Sequence, residues 1–176
     1  MQYLKNYLNK IIARGNEKLA ESISHTAEEV GEKYIKKFSF TSHEIGLLFG
    51  NVQSGKTGQM FGIISKATDL GFPVFVLLTT DNVVLQQQTL DRVKADLDGY
   101  CICGENDSRI FTDNSLLQPT IIVLKKNVRI LKLWANIFNS TGFMKGNPLF
   151  IVDDEADAAS LNTLVNKDRQ SAINKY

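Results

Sequence analysis

The chain has 176 residues, 43% hydrophobic, 22% charged and 9% aromatic, a balance that excludes a disordered or fibrous protein. Its 20 Lys and Arg against 19 Asp and Glu leave a net charge of +1, so no global field attracts nucleic acid or acidic lipid, and any basic surface has to be local. No apolar run approaches the roughly 18 residues of a membrane helix, and Lys5 and Lys10 interrupt an N-terminus without a secretory core, so a cytoplasmic chain with no membrane partner is expected. Cys101 and Cys103 form a single Cys-x-Cys, which supports neither a disulfide framework nor a four-ligand zinc site.

Residues 1–44 read as a helical segment: Tyr3, Leu4, Tyr7, Leu8, Ile11 and Ile12 recur at three- and four-residue spacing, with Gly15 and Gly31 as punctuation. From Ile45 the pattern changes to short, β-branched-rich runs, apolar on both faces, at Ile45–Phe49, Val74–Thr79, Thr120–Leu124 and Leu149–Val152. Such runs suit strands of a parallel sheet covered on both sides. Gly71-Phe72-Pro73 and Gly146-Asn147-Pro148 announce two of them.

Between the strands, helical stripes appear at Met60, Phe61, Ile63, Ile64 and Ala67, at Val83, Leu90, Val93 and Leu97, and at Ile130, Leu131, Trp134, Ile137 and Phe138. Strand then helix, repeated, predicts an α/β fold with right-handed crossovers over residues 45–165. Asp98–Pro119 is the least readable stretch, with Arg109–Phe111 as a candidate short strand, and residues 166–176 form a polar tail.

Gly50-Asn51-Val52-Gln53-Ser54-Gly55-Lys56-Thr57 matches Gly-x-x-x-x-Gly-Lys-Ser/Thr between an expected strand and an expected helix. In such a loop, backbone N–H groups and the positive end of the helix dipole hold phosphate, and glycines leave room for its approach. Gly50, Gln53, Ser54, Gly55, Lys56, Thr57 and Gly58 are therefore the candidate nucleotide-binding residues, with Lys56 on the β- and γ-phosphates and the Thr57 hydroxyl on Mg²⁺. The plain alternative is a turn that only joins strand to helix.

A second acidic element is required to hold the metal and orient water. Leu149-Phe150-Ile151-Val152-Asp153-Asp154-Glu155-Ala156-Asp157 supplies it, an apolar strand ending in clustered carboxylates whose repulsion a cation would relieve. Asp154 is the candidate metal carboxylate, with Asp153 as competitor, and Glu155 the candidate base on water. An acidic helix cap and a two-metal nuclease centre are the alternatives.

These two motifs carry a resemblance. Asp154-Glu155-Ala156-Asp157 is spelled like motif II of the DEAD-type superfamily-two helicases. Together with Val52-Gln53-Ser54-Gly55-Lys56-Thr57 it resembles the Z-one domain, a helicase-related family of proposed endonucleases associated with bacterial restriction and phage-defence genes. Val76–Thr80 followed by Gln86–Arg92, Ile122–Asn127 and Ser160–Thr163 are similar to further segments of that family. The resemblance implies a RecA-like P-loop ATPase lobe that binds ATP and Mg²⁺ and serves a DNA-dependent translocase. It also implies a second RecA-like lobe with an arginine finger, or nuclease and methylase subunits, as partners. Ala172-Ile173-Asn174 resembles the approach to a section not in this sequence, so a fragment or truncated gene is expected.

Thr89, Arg92, Lys125, Lys126 and Arg129, with Lys132, are the candidate nucleic-acid contacts; a solvated helix face is the plain alternative. Trp134 is expected in the core, and Phe38 and Phe40 against the sheet rather than on a base. A nucleotide-dependent protein-interaction switch without nucleic acid is the alternative function.

Overall fold

The computed structural model describes residues 2–39, 41, 43–48, 55–114, 117–143 and 145–154. The chain is α/β, with the order α1 (Tyr3–Ala13), α2 (Glu17–Lys33), a 3-10 turn (Ile35–Lys37), α3 (Lys56–Asp69), β1 (Val74–Thr79), α4 (Val83–Asp96), β2 (Cys101–Cys103), α5 (Ser108–Asn114), β3 (Thr120–Lys125), α6 (Val128–Ser140) and β4 (Leu149–Asp153). No described helix is long and apolar enough to cross a membrane.

The chain forms two compact units. In the first, α1, α2 and α3 pack together, joined by residues 95–99. Leu4, Tyr7 and Ile11 of α1 are buried, as are Ala20, Ile23 and Ala27 of α2 and Met60, Phe61, Ile63, Ile64 and Ala67 of α3. The expected stripes of α1 and α3 thus face a shared interior, except for Ile12, which is exposed. The α1 N-terminus has no cap of its own; its Tyr3 and Leu4 amides donate to the two Asp69 oxygens at the end of α3, at 2.8 and 3.1 Å. Lys10 and Arg14 pair with Asp98 and Asp96, and Phe38 packs on Phe72 with ring centroids 5.8 Å apart.

Gly31 does not punctuate the chain as expected. It lies inside α2, where a Cβ would meet the Lys66 side chain at 2.7 Å, so helix packing holds the glycine in place.

The second unit is built on a four-stranded, all-parallel sheet of order β2-β3-β1-β4. Val74 lies opposite Thr120 on one side and Leu149 on the other. Alternation along the strands sends Val74, Val76, Ile122 and Leu124 into a core with Cys101, Cys103, Phe111, Trp134, Phe138 and Phe143. Phe75, Leu77, Ile121 and Val123 are buried on the opposite face. Trp134 is a core residue, as expected, and its indole N–H donates to the Glu105 carbonyl at 3.1 Å.

Two strand expectations are corrected. Residues 45–48 are not a strand: they have no regular structure, and Ile45 and Leu47 are exposed, whereas Phe49 lies outside the described residues. An apolar run becomes a strand only when a neighbour takes its N–H and C=O groups, and these residues have no such neighbour among those described. Arg109–Phe111 is not a strand either but part of α5, with only Phe111 of that helix buried. The sheet's remaining strand is Cys101–Cys103, which gains its pairing from Thr120–Ile122 of β3.

Candidate functional site

The candidate residues fall in both units. In the first, α3 begins at Lys56 behind Gly55, whose φ of +72° is a left-handed conformation that favours glycine. The helices after β1 and β3 start differently. Asn82 accepts the Val84 and Leu85 amides at 2.8 and 3.2 Å, and Asn127 accepts the Arg129 amide at 3.1 Å. The start of α3 has no side-chain cap. Among the described residues no side chain accepts its first-turn amides, and the positive end of a helix dipole favours an anion.

Lys56 is exposed, and Thr57 and Gly58 are partly buried. Gly58 also has a packing role: a Cβ there would lie 3.1 Å from Cδ1 of Ile23, and its carbonyl accepts the Tyr7 hydroxyl at 3.4 Å. Burial, reinforced by Asp96 and opposed by Arg14, holds the Tyr7 hydroxyl well above the ordinary tyrosine range. Gly50, Gln53 and Ser54 lie outside the described residues.

In the second unit, β4 carries Asp153 opposite Leu78 at the carboxyl end of the sheet, where open α/β sheets bind their ligands. The Asp154 amide donates to the Leu78 carbonyl at 3.0 Å, so pairing with β1 continues one step past the strand. The Asp153 carboxylate accepts the Lys126 ammonium at 2.9 Å, and the same ammonium donates to the Asp154 carbonyl at 2.9 Å. Among the described residues the Asp154 carboxylate carries no hydrogen bond or ion pair, and as a hard oxygen donor it fits Mg²⁺. No three His, Cys, Asp or Glu side chains among the described residues gather to hold a metal by themselves. Glu155 and Asp157 lie outside the described residues.

The candidate nucleic-acid residues do not form one solvated group. Lys126 is buried on Asp153, and Lys125 pairs with Glu105 at 3.6 Å while its amide donates to the same carboxylate. The Thr89 hydroxyl donates to the Leu85 carbonyl within α4. Arg92 and Arg129 are exposed, without ion pairs among the described residues, and so is Lys132. The sequence reading missed the Lys126–Asp153 pair. Its available signal is the alternation that buries Ile122 and Leu124 and carries on to Lys126.

The fold and these two sets of residues define an α/β protein whose four-stranded parallel sheet is flanked by helices. Compared with known proteins, the chain matches no family model, no curated protein and no solved structure.

Proposed function

We propose that this chain is the nucleotide-binding lobe of a helicase-like, DNA-dependent ATPase of the Z-one type, with a RecA-like P-loop core and ATP and Mg²⁺ as its ligands. The observation that carries this reading is the Gly-x-x-x-x-Gly-Lys-Thr sequence together with a helix that starts at its lysine behind a left-handed, side-chain-free cap. A turn that merely joined two elements would have no use for Lys56 and Thr57 at an uncapped helix start. The acidic end of β4 supports the same reading, since a carboxylate at the carboxyl edge of a parallel sheet is where a metal partner is required.

In this reading Gly50–Thr57 and Gly58 bind the phosphates, and Lys56 balances the charge on the β- and γ-groups. Thr57 and Asp154 hold the metal, while Glu155 orients the attacking water. Bound Mg²⁺–ATP supplies the transferable phosphoryl group and neutralises its charge. Hydrolysis by this chain alone is slow, because an arginine finger from a second lobe supplies about 10³–10⁵ in rate. DNA, a second RecA-like lobe, or nuclease and methylase subunits are the proposed partners.

Calorimetric titration with a non-hydrolysable ATP analogue and Mg²⁺ tests the reading. Micromolar to submillimolar affinity for the intact chain, lost in Lys56→Ala, is the expected result. Equal binding by both proteins, or none by either, refutes it.

A further inference from the structure

We propose that Lys126 is a positioning residue for the acidic end of β4: its buried ammonium occupies the Asp153 carboxylate and thereby reserves metal binding for Asp154. This inference rests on the nucleotide-binding reading above and assigns Lys126 a role other than contact with nucleic acid.

The Lys126 side chain is 0% exposed. A buried ammonium is costly unless it is both paired and hydrogen-bonded, and here it meets both conditions, on Asp153 and on the Asp154 carbonyl. Its main chain is fixed as well, with the Lys126 amide donating to the Thr79 carbonyl at the end of β1 at 2.8 Å. Because β1 lies between β3 and β4, Lys126 spans the middle strand, held by its backbone to β1 and by its side chain to β4. The turn carrying Asp153 and Asp154 is thus tied on two sides, by Lys126 and by the Asp154 amide on Leu78.

Charge then separates two neighbouring aspartates that look equivalent in sequence. A divalent cation on Asp153 would lie beside the Lys126 ammonium and be repelled by it. Among the described residues no cation sits on the Asp154 carboxylate. The lysine therefore does two things: it fixes the backbone that aims Asp154, and it withdraws Asp153 from competition.

The test uses the full chain with Mn²⁺ in place of Mg²⁺, its binding read by electron paramagnetic resonance in the presence of the ATP analogue. Asp154→Asn is expected to remove the bound Mn²⁺ signal. Lys126→Met and Asp153→Asn should each weaken Mn²⁺ by about tenfold, the effect of losing a group that orients a ligand, and the double variant should be no worse than either single one. Lys126→Arg should recover most of the affinity, which keeps the test usable if the methionine variant does not fold. Unchanged Mn²⁺ affinity in folded Lys126→Met, or loss of the signal in Asp153→Asn and not in Asp154→Asn, overturns this inference while leaving nucleotide binding intact. Failure of the unaltered chain to bind the nucleotide overturns both readings.

Discussion

Gly62 of α3 faces Ile23 of α2 so closely that a Cβ added to the glycine would overlap Cγ2 of the isoleucine. Ile23 is fully buried and cannot swing away. Gly62→Ala is expected to destabilise the chain by about 1 kcal/mol net, because overpacking costs about 1–3 kcal/mol and outweighs the roughly 1 kcal/mol that alanine gains in a helix. Gly58→Ala, whose Cβ would only touch the end of the Ile23 chain at 3.1 Å, should cost less. Urea unfolding of both variants checks the order, and a more stable Gly62→Ala would show that α2 and α3 pack less tightly.

Asp69 stands in for the missing cap of α1. Replacing it with alanine removes the acceptor of the Tyr3 and Leu4 amides and should lower stability by about 0.5–2 kcal/mol, the usual cost of losing an N-terminal cap. Amide hydrogen exchange should locate the loss at the first turn of α1; uniform loss of protection across the chain would count against a local cap.

Lys126→Met removes the ammonium that pairs with Asp153. Breaking a buried pair costs about 3–5 kcal/mol, and the low end applies because the Asp153 side chain keeps 25% of its surface in water. Chemical unfolding should show much of that loss restored when Asp153→Asn is added. A double variant that loses the sum of the two single losses would mean that the two groups are uncoupled.

Alkaline pH should weaken the fold. Burial, then the neighbouring Cys101, pushes the Cys103 thiol from its ordinary 9.0 up to about 12, and burial raises the Tyr7 hydroxyl above its ordinary 10.0. The unfolded chain therefore releases these protons first, and wherever it binds fewer protons than the native state, stability falls with pH. The Cys103 contribution is whole below pH 9 and is lost as pH rises toward 12; that of Tyr7 begins to fall near 10. Cys103→Ala and Tyr7→Phe should each flatten the alkaline limb of a stability profile, and an unchanged limb in both would refute the assignment.

If the second unit meets nucleic acid through the candidate residues, three of their cations are exposed to do it. With Lys125 and Lys126 engaged by carboxylates, Arg92, Arg129 and Lys132 are the exposed candidates. Three phosphate contacts give a slope of log K against log salt of about −2 to −3. Fluorescence anisotropy with labelled DNA should yield that shallow slope, reduced by about one unit for each of Arg92→Ala and Arg129→Ala. A slope untouched by both would favour the protein-interaction alternative.

The sequence by itself determined whatever depends on local periodicity and turn chemistry. The apolar runs Val74–Thr79, Thr120–Leu124 and Leu149–Val152 lie in strands, the stripes of α3 and α6 turn inward, and the motif's second glycine sits just ahead of a helix. The tertiary structure decided the rest, because pairing and charge compensation join residues far apart in the chain. Ile45–Leu48 is as apolar as a strand, yet no partner among the described residues accepts its hydrogen bonds. Cys101–Cys103 is too short to stand out and becomes a strand because β3 offers it an edge. Gly31 remains inside a helix because Lys66 packs over it. Lys126 and Lys125 are adjacent and identical in sequence, but a buried ammonium needs a carboxylate within reach, and only the fold brings Asp153, 27 residues away, to within 2.9 Å of it.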